Sequence, residues 1–310
     1  MKSYSPRLKR WLRTRGWTLV LFISVLLRVA GALYLGDGVD APPLLTDQRS
    51  YHALGERLVA GKGYTFAENW YPFTPAETPT AHWSFLYPLF VAAIYGVTGA
   101  HPLAVRLVQA VIGGLLLPWL VGRLARHLFP KRPSIPLFAG GLAAGYGYFI
   151  LYAATLMTET FFIIAVLWSF DVALRIRQRV SRQQPLSGGL MLEFGLSLGV
   201  SALLRQSILP WVPVLFLWLL WQGWRAQNVR ASFKAALVAG LVLILCIVPW
   251  TYRNYRVYDR FLLLNANTGY AMYSAQNPMH GNSFSEFAAA PVPETLWGKS
   301  EADIDRILMQ

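Results

Sequence analysis

"HPLAVRLVQAVIGGLLLPWLVGRLARHLFPKRP", residues 101–133, decides how this chain is organised. The apolar part, residues 103–125, is long enough to cross a bilayer, which takes about 20 residues. It runs into the basic block "RLARHLFPKRP" (123–133). Lys and Arg collect in the cytoplasmic loops of membrane proteins, so this segment reads as a span running inward. The preceding apolar stretch, "SFLYPLFVAAIYGVTG" (84–99), is short for a span. If it crossed as well, the basic block would lie outside, against the charge rule. Residues 84–99 are therefore expected to form a helix that lies in the outer interface or re-enters it.

The rest of the chain follows from that orientation. Residues 1–16 are basic and precede an apolar run, 17–35, with Arg28 inside it and no small-residue cleavage site after it. This reads as an uncleaved first span with a cytoplasmic N-terminus. Residues 36–102 form a first external loop with interfacial helices. Residues 134–154, 159–175, 188–204, 207–222 and 235–252 then alternate across the membrane, with basic segments such as "RIRQRVSRQQ" and "WRAQNVRASFK" returning to the cytoplasmic side. The predicted fold class is all-α, a polytopic membrane protein with about seven transmembrane helices. Residues 1–252 form the transmembrane module. Residues 253–310 form an external segment that ends in "SEADIDRILMQ", the start of an amphipathic helix.

Composition agrees. The 310 residues are 55% hydrophobic and 14% charged, against roughly 25% charged in soluble domains, and mean hydropathy is +0.39. A net charge of +13 would suit nucleic acid, but the cations sit in blocks between apolar runs, so the partner is the bilayer. The single cysteine, Cys246, lies in an apolar run and excludes an intramolecular disulfide. No phosphate-binding loop, dinucleotide fingerprint, HExxH or GxSxG is present.

The external face collects the residues that can carry chemistry. "LLTDQRSYHALGERLVAGKGY" (44–64) has the pattern of a short helix, with Thr46 or Asp47 able to cap its start and Gly61 and Gly63 to end it. This loop supplies Asp47, Tyr51 and His52. His82 and Tyr87 flank the interfacial helix, Glu159 opens a span, Arg205 lies between two spans, and Arg253 and Arg256 follow the last. A carboxylate can take a proton from a hydroxyl or amine, and arginines can hold a phosphate with two hydrogen bonds. Each residue also has a plainer use: Asp47 as a helix cap, Glu159 as a partner of the helix dipole, and the arginines as lipid-anchoring charges. His52 and His82 stand near carboxylates but lack the further ligands a metal site needs, so a divalent metal is left open.

Four pieces of sequence, in order, carry a resemblance. They are an acid heading a helix in the first external loop ("TDQRSYHALGERLVAGKGY"), "SFLYPLFVAAIYG", "LMTETFF", and "VPWTYRNYRVYDRFLLLNANTGYAMYSAQNP". Together they resemble the GT-C class of integral-membrane glycosyltransferases. Within that class they are most like the branch that holds the dolichyl-phosphate-mannose protein mannosyltransferases and bacterial aminoarabinose transferases. Ser84 and Phe85 stand where that branch has two prolines. Its members are usually longer, so this chain reads as a fragment or as a member trimmed to a seven-span catalytic part.

The resemblance implies a polyprenyl-phosphate sugar donor, a glycan, lipid or protein acceptor, and a site on the external side of the cytoplasmic membrane. It further implies that Asp47 is the catalytic acid of the first loop and Glu159 a second acidic site residue. Arg205, Arg253 and Arg256 are then candidates for the donor phosphate, and Tyr51, His52, His82 and Tyr87 shape the cavity. Two other classes fit less of the sequence. A transporter or lipid flippase would pair ionisable residues inside spans and show inverted repeats, whereas Arg28 and Glu193 are nearly alone there. A polysaccharide ligase would keep the arginines without needing Asp47.

Overall fold

The computed structural model describes residues 6–40, 47–277 and 290–310, with side chains from residue 15 onward. Thr46, the alternative cap, and the end of the fourth motif at Pro278 lie outside the described residues. Among the described residues the chain is helical, with only isolated bridge pairings in the loop 60–85.

The long helices α1 (Pro6–Leu35) and α4 (Pro102–Leu128) lie against each other. Between them in sequence come the short α2 (Asp47–Val59) and α3 (Leu86–Thr98). At 1.5 Å per residue α3 is about 20 Å long, too short for a hydrocarbon core of about 30 Å. It packs on α2 instead. Gly55 permits the approach, since a Cβ there would sit 2.5 Å from Val91. The chain continues through α5 (Ile135–Gly145), α6 (Gly147–Ala154), α7 (Glu159–Ser181), α8 (Gly188–Leu204), α9 (Trp211–Arg225) and α10 (Val229–Tyr258). It ends in the short α11 (Thr268–Gln276) and α12 (Glu301–Leu308).

Four helices are long and apolar enough to cross a membrane: α1, α4, α9 with the turn before it, and α10. The pair α5–α6, bent by 53°, makes a fifth if counted as one span. The expected count of seven therefore exceeds what length and composition alone carry. α7 has Glu159, Asp171 and Arg175 within its apolar length, and α8 has 17 residues. The protein is a multi-pass membrane protein whose α7 and α8 are lined by neighbouring helices.

Two kinds of contact hold the bundle. The first is close approach at small residues, as expected where the lipid supplies no hydrophobic drive between helices. A Cβ on Gly195 or Gly199 of α8 would lie 2.4 Å from Val242 or 2.6 Å from Cys246 of α10. Around this seam Val172, Ile176, Phe194, Leu198, Leu219 and Leu243 form the main core.

The second is polar bonding at buried positions, where an unpaired group is costly. The bend at Gly145–Gly147 frees carbonyls at the end of α5. Arg28, fully buried in α1, donates to Ala144 (3.0 Å), Ala143 (3.2 Å) and Ser24 Oγ (2.6 Å). An intramembrane arginine thus closes a helix break. Two turns further on, at the C-terminal end of α1, Arg106 of α4 gathers the carbonyls of Leu35 (3.4 Å), Gly36 and Gly38 (2.7 Å), together with Gln48 Oε1 (2.9 Å). One turn along, Gln109 donates to the carbonyls of Tyr152 (2.8 Å) and Thr155 (2.7 Å) and accepts from Tyr87 (2.8 Å).

Candidate functional site

These buried bonds place the site. Gln48 Oε1 also accepts from the Leu156 backbone N–H at 3.1 Å. Asp47 precedes Gln48 in the chain, and Glu159 lies three residues beyond Leu156. The start of α2 is therefore pinned beside the start of α7. Arg205 arrives from the end of α8, in an extended backbone conformation that ends the helix and turns the chain into the next one. Its guanidinium meets Glu159 at 2.5 Å. Its side chain is still 42% exposed, against 15% for Glu159, so part of the fork remains open to a second anion.

Asp47 lies in the field of this pair. Burial pushes its carboxyl from an ordinary value of 3.8 up to about 6, the Glu159 charge adds to the rise, and Arg205 opposes it. Tyr51, one turn along α2, is buried beneath it. Its ring meets Tyr87 edge-on at 4.9 Å and Trp83 at 5.7 Å. Burial, and the Asp47 charge after it, raise the Tyr51 hydroxyl far above its ordinary range, so it stays a protonated phenol that can donate as well as accept a hydrogen bond.

Asp47, Tyr51, Tyr87, Glu159 and Arg205 thus form one neighbourhood. The other sequence candidates stand apart from it. His52 points toward α3, where its Nδ1 meets the Tyr95 hydroxyl at 2.7 Å and its Nε2 lies 3.6 Å from Glu56. Arg253 donates to the Thr80 carbonyl at 3.0 Å and stacks 4.6 Å over Trp250. Arg256 is exposed, with the Tyr252 hydroxyl at 3.3 Å. His82 sits among Phe73, Trp83 and Tyr270. Burial lowers its pKa to about 4, partly offset by a hydrogen bond with the Ala266 backbone, so it is neutral at pH 7. Its Nδ1 and the Nε1 of Trp83 are buried without a partner among the described residues. Among the described residues no three His, Cys, Asp or Glu side chains come together as a metal site.

The segment after α10 folds back onto this neighbourhood. Ala266 donates to the Ala81 carbonyl (2.9 Å), Asn265 to Trp83 (2.5 Å) and Asn267 to His82 (3.0 Å). Gln206, next to Arg205, donates to Asn267 Oδ1 at 2.8 Å and accepts from the Asn265 backbone at 3.2 Å. Further along, Glu301 at the head of α12 is 3% exposed. It accepts from the Ala81 backbone (2.7 Å), Thr74 and Tyr258 (3.2 Å). Sequence reasoning missed Gln48, Arg106, Gln206 and Glu301. Arg106 alone carried a signal, as a cation at the head of an apolar run.

A sequence profile described as dolichyl-phosphate-mannose-protein mannosyltransferase matches residues 82–252, more than half of the chain. The chain belongs to this family. Within the mannosyltransferase family match lie His82, Tyr87, Glu159 and Arg205; Asp47, Tyr51, His52, Arg253 and Arg256 lie outside it. No curated protein and no solved structure matches the chain significantly. Membership makes the protein a membrane glycosyltransferase. The hydrogen bonds of Arg28 to helix carbonyls, and the ion pair of Glu193 with Arg175 (3.0 Å) with its bond from Trp168 (2.9 Å), give structural roles to the two charges a transporter would have used.

Proposed function

We propose that this mannosyltransferase-family protein moves a sugar from a polyprenyl-phosphate donor to a glycan, lipid or protein acceptor on the external side of the cytoplasmic membrane. The observation that carries the reading is Asp47, a carboxyl titrating at about 6 beside a Glu159–Arg205 pair with part of its guanidinium free. At neutral pH Asp47 is ionised yet retains enough basicity to accept a proton, the compromise that general-base catalysis favours. Arg205 faces the donor phosphate and stabilises the charge that grows on it as the sugar leaves. Glu159 holds Arg205 in place. The bond from the anomeric carbon to the phosphate oxygen breaks while the acceptor oxygen or nitrogen attacks from the opposite face. The acceptor proton goes to Asp47, polyprenyl phosphate leaves, and the anomeric configuration inverts.

Seven crossings, with α7 and α8 included, would put the starts of α2 and α7 and the end of α8 at one membrane face. That arrangement supports an external site fed by a lipid-linked donor. Reconstituted protein with radiolabelled polyprenyl-phosphate sugars tests the reading. Turnover by the native chain that disappears in Asp47→Asn, with donor binding kept, supports it. Equal turnover in both removes Asp47 from the mechanism.

A further inference from the structure

The end of the bundle opposite Asp47 carries a second feature. Arg106 ties the start of α4 to the end of α1 beside Gln48, and Arg126 lies 20 residues further along α4, about 30 Å away. There, between α1 and α4, runs a groove of about 710 Å³ lined by Trp17, Leu21, Phe22, Val111, Leu115 and Arg126. Its walls are apolar and face outward: Phe22 is 63% exposed. The three basic residues in the last turns of α4 divide their work. Arg123 pairs with Asp171 at 2.8 Å and stacks on Trp119 at 4.6 Å, and His127 meets Asp171 at 3.1 Å. Arg126 lies at the groove and, among the described residues, has no acidic partner.

We propose that this groove binds an anionic glycerophospholipid, with its phosphate on Arg126 and an acyl chain along α1 and α4. Length supports it. Val111 to Arg126 spans 15 residues, about 22 Å along the helix, which accommodates one leaflet's share of a 30 Å hydrocarbon core plus a headgroup. Charge supports it, because a guanidinium at the end of an apolar trough, without an acidic partner among the described residues, matches a phosphate at the end of a hydrocarbon chain. Shape supports it as well. The Trp17 indole is wedged into α4 and α5, where a Cβ on Gly122 or Gly140 would lie 2.2 or 2.7 Å from it. That wedge fixes a rigid wall beside Arg126. The groove lies far from Asp47 and is distinct from the sugar-transfer site.

Native mass spectrometry of the full chain, exchanged into nanodiscs of phosphatidylglycerol or phosphatidylcholine, tests the proposal. One phosphatidylglycerol should be retained per chain in preference to phosphatidylcholine. Arg126→Gln should cut that preference by about fivefold, and Arg126→Lys should keep most of it. Val111→Trp, which fills the trough, should abolish retention of both lipids. Thermal unfolding checks that each variant folds; the Arg126 pair, altered at an exposed side chain, carries the test if Val111→Trp does not. Equal retention of the two lipids, an unchanged preference in Arg126→Gln, or displacement of phosphatidylglycerol by one equivalent of polyprenyl phosphate would each overturn it.

Discussion

Asp47→Asn should make the protein more stable and inactive at once. Moving a carboxyl from 3.8 to about 6 corresponds to about 3 kcal/mol against the anion. Asp47 is not fully enclosed, so solvent screens part of this, and about 2 kcal/mol is the expected size. The unfolded chain releases the Asp47 proton near pH 4 and the folded chain near pH 6. Holding the proton favours the folded state at low pH, and that advantage is lost as pH rises through 6. Above pH 6 the native protein bears the full cost of a desolvated anion next to Glu159, and the nearly isosteric amide bears none. Denaturant unfolding in one detergent should therefore show Asp47→Asn more stable by about 2 kcal/mol at pH 7.5, with the gap narrowing by pH 4.5. A variant no more stable than native at pH 7.5 would refute the desolvated-anion argument, whatever happens to sugar transfer.

Three further outcomes follow from the same contacts. Because Glu159 raises and Arg205 lowers the Asp47 pKa, Glu159→Gln should move the acid limb of the pH–rate profile to lower pH and Arg205→Gln should move it higher; residual transfer rates read across pH check both signs. Gly269→Ala should detach α12, since a Cβ there would sit 1.8 Å from the Asp305 carbonyl oxygen, and limited proteolysis should then cut the 290–310 segment faster. Glu301→Ala leaves the Ala81 N–H and the Thr74 hydroxyl without their buried acceptor, while Tyr258 keeps the Pro79 carbonyl at 2.8 Å, a loss of about 2–4 kcal/mol. Hydrogen exchange at Ala81 should rise correspondingly.

Asp47 was legible as the acid heading the helix pattern of the first external loop; Glu159 and Arg205 were legible as candidates because each is a charged residue beside an apolar run, and such placement is costly unless used. The same rule flagged Arg28, and there the use is structural: it caps the carbonyls at the α5–α6 bend. Arg253 and Arg256 read the same way as Arg205 in one dimension. Only Arg205 meets Glu159, because it lies where α8 ends, whereas Arg253 rides the last turns of α10 and is turned onto Trp250 and the Thr80 carbonyl.

Hydropathy along the chain determined the class of protein by itself: long apolar runs cannot stay in water. It also determined the short helix at 86–98, since 13 residues cannot reach across. What it could not determine is which ends meet. Gln48 bonds to Leu156 across 108 positions, Asn265 to Trp83 across 182 and Glu301 to Ala81 across 220. A hydrogen bond depends on distance and angle, not on sequence separation. Periodicity reports only which face of a helix is apolar, so the meeting of α2 with α7, and of the last helix with the first loop, was decided by tertiary structure alone.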